Sequence, residues 1–143
     1  KKSEVKNEEY KQHRSDVVFA SLNLFSETWG NVRLEKIYDP NGFLIEKKGP
    51  IVDGKLTGTL RTYYPTGKIR GIFQYVNGVQ DGRAVTYFTH GKINVESYWH
   101  NGDLDGRHTI YDESGKIITR KLWKNGKLLQ GAEETAPAHL DAL

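Results

Sequence analysis

The sequence has no cysteine and no methionine, only four prolines, and no large excess of either charge sign. Without cysteine there is no disulfide, no thiolate nucleophile and no cysteine metal site, so redox chemistry says nothing about compartment. The chain opens on Lys1 and lacks methionine throughout, which leads us to expect a processed mature form or a trimmed chain. The longest apolar stretch, 17–25, is already interrupted by Ser21 and Asn23, whereas a membrane-spanning helix needs roughly 20 predominantly apolar residues. Lys plus Arg number 21 against 18 Asp plus Glu, a formal charge of +3. Glu133, Glu134 and Asp141 follow Gly131 with no Lys or Arg among them, which leaves +6 on residues 1–131. Even there Lys55, Arg61, Lys68, Arg70, Arg83 and Lys92 are interleaved with Asp53, Asp81 and Glu96. A nucleic-acid binder concentrates its cations in a stripe, so no nucleic-acid partner is expected. At 143 residues the chain fits one domain.

What is abundant is glycine. All 15 glycines lie between Gly30 and Gly131, a clustering that prompts a search for repeats. Gly54, Gly78, Gly102 and Gly126 are each 24 residues apart, and the last three follow Asn77, Asn101 and Asn125. A second series runs Gly58, Gly82 and Gly106, with Gly131 one residue late. A third is Gly67, Gly91 and Gly115, each followed by Lys-Ile, with Gly42 a weaker forerunner. Between the glycines lie 59–64 (TLRTYY), 83–88 (RAVTYF) and 107–112 (RHTIYD), rich in the β-branched and aromatic residues that strands favour. A short loop then leads to a second run, 69–76, 93–100 or 117–124, bounded by Asn-Gly. Asn-Gly tolerates the positive φ angles that tight hairpins demand. The expected fold is therefore all-β, an elongated antiparallel meander of 24-residue β-hairpins.

Copies within the chain can be compared position by position. Tyr63, Tyr87 and Tyr111 form one column, Ile69, Ile93 and Ile117 a second, and Tyr75, Trp99 and Trp123 a third. With a three-residue loop at 65–67, strict alternation puts all three columns on one face, the expected buried ladder. The other parity varies from copy to copy: Arg70, Asn94 and Ile118; Ile72, Glu96 and Arg120; Gln74, Tyr98 and Leu122. We take this drifting face as the partner surface, with Arg70, Ile72, Glu96, Tyr98, Arg120 and Leu122 as candidate contacts. Aromatic and apolar side chains would anchor, while Arg and Glu would set orientation and encounter rate.

Catalytic chemistry finds little support. The five histidines, His13, His90, His100, His108 and His139, show no zinc-helix spacing, and no Gly-x-Ser-x-Gly elbow is present. Asn101, Asp103, Asp105, Gly106 and Asp112 do match positions of a calcium-binding EF-hand loop. Its flanks read as strands, however, and the twelfth residue is Asp where a bidentate Glu is usual, so turn duplication is the preferred reading. No enzyme activity, cofactor or metal is expected.

The run 58–82 (GTLRTYYPTGKIRGIFQYVNGVQDG) and its successor resemble the MORN-repeat variant found in many bacterial proteins, antitoxin and immunity proteins among them. The matching features are the aromatic pair before a turn, Gly-Lys-Ile, the aromatic before Asn-Gly, and the closing Asp-Gly. The resemblance covers residues 49–131, with a degenerate copy around 32–48. It implies a sheet without catalytic machinery that holds a partner. Some such relatives neutralise lipase or phospholipase effectors delivered between competing bacteria, as by type VI secretion, and those guarding the periplasm are often lipoproteins. We therefore expect a non-enzymatic immunity protein that binds a protein toxin and blocks its active site in the periplasm, anchored through a lipid, with a cytoplasmic location as the alternative. The alternative function is a membrane-apposed scaffold for lipid or a cell-envelope protein. The expected domain plan is a polar tether at 1–14, a capping segment and first repeat at 15–48, hairpin repeats at 49–131, and a disordered acidic tail at 132–143.

Overall fold

The computed structural model describes the backbone of residues 2–10, 13–14, 17–18 and 22–129 and the side chains of residues 24–129. The expected tail at 132–143 lies outside the described residues, as do the side chains of the expected tether at 1–14. All described regular structure is β. The strands are β1 (Lys2–Tyr10), β2 (His13–Arg14), β3 (Val17–Val18), β4 (Leu22–Trp29), β5 (Val32–Tyr38), β6 (Leu44–Val52), β7 (Lys55–Tyr63) and β8 (Ile69–Val76). They continue as β9 (Val79–Gln80), β10 (Gly82–Tyr87), β11 (Ile93–His100), β12 (Asp103–Leu104), β13 (Gly106–Tyr111), β14 (Ile117–Lys124) and β15 (Lys127–Leu128). One 13-stranded antiparallel sheet runs β1-β4-β5-β6-β7-β8-β10-β11-β13-β14-β15, with β9 and β12 pairing β8 and β11, while β2 and β3 pair with each other. The order follows the chain, as a meander of hairpins requires. Of the apolar stretch 17–25, Val17–Val18 form β3, which pairs β2, and residues 22–25 open β4, which lies between β1 and β5.

Two turn types alternate. Asn77, Asn101 and Asn125 each have φ of 49°, and the glycine after each is also positive, between 78° and 85°. Both central residues of a type I′ turn need this region, which Asn and Gly enter at least cost. Asp53-Gly54 does the same between β6 and β7. At the other end of each hairpin the Tyr64 amide donates to the Lys68 carbonyl at 2.9 Å and the Gly67 amide to the Tyr64 carbonyl at 2.9 Å. The same two bonds recur at 88–92, at 112–116 and at 39–43, so the divergent stretch around 32–48 closes like the later copies. Successive units are stitched together by the turn glycines. The amides of Gly78, Gly102 and Gly126 donate to the carbonyls of Leu56, Gln80 and Leu104 at 2.7 to 2.8 Å.

The expected single ladder is divided between two faces. Thr62 pairs Gly71, yet Tyr63 pairs Ile69, so Arg70 is an extra residue in β8. The register shifts identically between Thr86 and Tyr87 and between Ile110 and Tyr111. A bulge residue reverses the parity of everything beyond it. Tyr63 and Ile69 therefore share a face with Arg61 and Ile72, whereas Tyr75 lies on the reverse face with Phe73 and Leu60. Trp99 and Trp123 follow Tyr75. We call these the Tyr63 face and the Trp99 face.

Among the described residues no element packs across either face; strand contacts run along the sheet. The buried apolar residues are accordingly few: Leu24, Ile51, Ala84 and Val85. Ala84 and Val85 are adjacent in β10 and point to opposite faces, so burial is shared between the two faces. The ladder residues Tyr63, Ile69, Tyr87, Ile93, Trp99 and Trp123 are all half-buried. In one layer, stability rests on cross-strand side-chain pairs and on ladder hydrogen bonds rather than on a sealed core.

Candidate binding face

The Tyr63 face carries a continuous row of directly opposed residues. Phe25 pairs Lys36, Lys36 pairs Lys47, Lys47 pairs Arg61, and Arg61 pairs Ile72. Ile72 pairs Val85, Val85 pairs Glu96, Glu96 pairs Thr109, and Thr109 pairs Arg120. Three of the sequence-derived contacts, Ile72, Glu96 and Arg120, thus stand in one row across the sheet. Ile72 and Glu96 are half-buried, but Arg120 is only 2% exposed, with its Nε donating to Thr109 Oγ1 at 3.2 Å. Arg120 therefore acts in the sheet's own packing, where sequence reasoning placed it on the surface. Its copy-to-copy variability had suggested solvent, but it is buried against its cross-strand partner Thr109.

The neighbouring row brings Tyr98 and Leu122 together. Tyr98 pairs Arg83 and Leu122 pairs Arg107. Tyr98, Asp105, Gly106, Arg107 and Leu122 line an open recess of about 250 Å³. Gly106 lets this recess form: a Cβ built there would lie 3.0 Å from the Tyr98 Cβ, and its φ of 124° suits glycine. Asp105 is held at the rim by Lys124 Nζ at 3.4 Å. Arg83 bonds Glu96 through Nε at 2.6 Å and also through Nη2. Burial works against the Arg83 charge, but the hydrogen bond and charge of Glu96 outweigh it, so the guanidinium is held even more firmly protonated than usual. Glu96 is therefore locked by its own chain, which orders the surface beside Tyr98.

Arg70 stands apart. As the bulge residue it turns to the Trp99 face, with its guanidinium 5.8 Å from the centre of the Tyr64 ring. There it lines a different recess, of about 440 Å³, with Thr62, Phe73, Thr86 and Asn94. The six expected contacts thus separate into Tyr98 and Leu122 in one recess, Ile72, Glu96 and the buried Arg120 in the neighbouring row, and Arg70 across the sheet. Arg107 was missed by sequence reasoning, because only the β13–β14 register brings it against Leu122.

Two carboxylates of the calcium-like loop are engaged within the chain, Asp112 in its own turn and Asp105 in an ion pair. Asp112 Oδ1 accepts from the Ser114 hydroxyl at 2.6 Å and from the amides of Ser114 and Lys116. The Ser114 hydroxyl and the Lys116 amide hold the Asp112 carboxyl below the ordinary range. Asp105 binds Lys124. Among the described residues, no three His, Asp or Glu side chains gather as a metal site, and no helix is long and apolar enough to cross a membrane.

The repeated hairpin, its type I′ turn and its 24-residue step decide the comparison with known families. Residues 56–77 and 104–125 match the MORN repeat variant. The two matched repeats each cover the outgoing strand, the Gly-Lys-Ile turn and the returning strand up to the Asn of Asn-Gly, Asn77 or Asn125. No curated protein matches the chain. The two matched repeats mark the chain as a repeat scaffold.

Proposed function

We propose that the chain is a non-enzymatic immunity protein whose Tyr63 face docks on a secreted bacterial toxin and occludes its active site, with lipase and phospholipase effectors as the favoured class. The observation that carries a protein-docking reading is the recess formed by Tyr98, Arg107 and Leu122, an aromatic and an aliphatic anchor around a fixed cation. Interface hot spots are built this way: aromatic and Arg side chains in a desolvated pocket with a polar rim. The ion pairs Arg83–Glu96 and Lys124–Asp105 supply that rim. Immunity function and a periplasmic, lipid-anchored location come from the resemblance of the repeats to bacterial immunity proteins. Inhibition would be steric, needing no chemistry from the chain.

The test uses a protein recovered with the full chain from its native cell. That protein should be toxic when expressed alone in a susceptible host, and co-expression of the chain should rescue growth. Replacing Tyr98 and Leu122 together by alanine should weaken the complex by at least tenfold, as expected for hot-spot residues, and abolish rescue. Binding unchanged within about twofold would remove these residues from the interface. Salt-sensitive flotation with anionic vesicles, in the absence of any protein partner, would favour the membrane-scaffold alternative.

A further inference from the structure

One end of the Tyr63 face carries a feature that the repeat fold does not need. Lys36, Lys47 and Arg61 are directly opposed on three successive strands, β5, β6 and β7. Like charges directly opposite each other destabilise a sheet, and adjacent strands are only about 4.8 Å apart. Among the described residues no carboxylate pairs with any of the three. Glu35 is engaged by Arg33 and Lys48, Glu46 by Lys48, and Glu27 has its own partner. The later copies show that the fold runs without these cations. The column of Lys36 and Arg61 continues as Val85 and Thr109, and the column of Lys47 continues as Ile72, Glu96 and Arg120. The three cations line a recess of about 170 Å³ with Phe25, Leu34, Thr59 and Lys48; Glu27 and Glu35 also line it, each with an interaction of its own, so cations outnumber carboxylates in the lining by four to two.

We infer that this basic recess receives an acidic segment of the partner protein, with a carboxylate side chain entering between Lys36, Lys47 and Arg61 and an apolar neighbour on Phe25 and Leu34. The inference rests on the protein-docking reading above but needs no particular toxin. Charge complementarity argues for the acid. The row's change of character argues for a protein. It passes from three cations through Ile72 and Val85 to Glu96 within a few strands, a mixed surface that suits a protein better than a uniformly anionic bilayer or nucleic acid. The cations also line a recess of side-chain size, which a flat bilayer does not fill.

The experiment titrates the full chain into a fluorescein-labelled peptide of alternating Glu and Leu, and in parallel into phosphatidylglycerol vesicles. Saturable peptide binding is expected, weakening at least tenfold between 20 and 300 mM salt, on the order implied by screening of several close charges. The pair Lys47→Ile and Arg61→Val installs residues that later copies already use. It should abolish peptide binding while leaving the thermal midpoint at low salt unchanged or raised, since repulsion is relieved. Peptide binding equal in wild type and variant would overturn the proposal, as would vesicle binding that is lost in the variant while the peptide fails to bind. The Tyr98→Ala and Leu122→Ala pair should leave peptide affinity intact. If the native partner is lost with Tyr98 and Leu122 replaced but kept with Lys47 and Arg61 replaced, this inference fails and the docking reading stands. If neither pair affects the partner, the docking reading fails.

Discussion

At the residue scale, the same amino acid type does different work according to what surrounds it. Gly106 and Gly30 both have positive φ, but only Gly106 faces a neighbour, the Tyr98 Cβ at 3.0 Å from a built Cβ. Gly106→Ala should therefore cost about 1–3 kcal/mol through backbone strain, plus a shift of Tyr98 out of its recess. Gly30→Ala should cost less, since nothing lies within 4 Å. Chemical denaturation of the two variants measures the difference, and equal losses would show that the Tyr98 contact is slack. His108 offers a pH test. Burial, and then the charge of Lys121 directly opposite, lower its pKa. The folded state thus disfavours the imidazolium, and below the ordinary His pKa of about 6.5 the unfolded chain takes up the proton first. This contribution is fully present above pH 6.5 and is lost as pH falls through the lowered value. His108→Gln should flatten the stability profile on the acid side of 6.5; an unchanged slope would assign it to other groups. The glycine and tyrosine columns that revealed the repeat were plain in the sequence. The bulge was not, because its extra residue is Arg70, Asn94 or Ile118, three side chains with nothing chemical in common.

At the element scale, a hairpin here is defined by its two turns, and both were legible: Asn-Gly by the positive φ it supplies, and Gly-Lys-Ile by its recurrence. The facing of the strands was not legible, since period-2 alternation assumes an uninterrupted ladder and each returning strand breaks it once. This is why Arg120 emerged buried and Arg70 emerged on the reverse face. Residues 15–25 read in the sequence as a strand or short helix covering the first edge; the interior position of β4 depends on pairing with β1, which no local pattern encodes. An interior strand cannot be removed without baring ladder donors and acceptors on its neighbour. Deleting residues 15–30 should therefore expose the β5 edge and drive the protein into aggregates on size-exclusion chromatography, while deleting 132–143 should leave the elution unchanged. A soluble, folded product from the first deletion would show that β5 tolerates an open edge.

At the scale of the whole molecule, a single layer with four buried apolar side chains among its described residues has no shared core through which distant units could communicate. Coupling passes only between neighbours, through ladder bonds and the turn-glycine bonds such as Gly102 to Gln80. Such an array behaves as a sum of unit and interface terms. Among the described residues, the short strands β12 and β15 make the same pairing. β14 pairs the two-residue β15 at Trp123–Leu128 and Lys124–Lys127, just as β11 pairs β12 at Trp99–Leu104 and His100–Asp103. A chain stopped after Asp105 therefore keeps the β11–β12 pairing it already has. It should remain folded, with a lower denaturation midpoint and a denaturant slope reduced by about a fifth, in line with the surface no longer buried. Circular dichroism through a urea titration reads both quantities. Complete loss of structure would mean that the last hairpin stabilises the array from end to end. In that case the Tyr98–Leu122 recess, which the truncation also removes, would belong to the folding nucleus as much as to recognition.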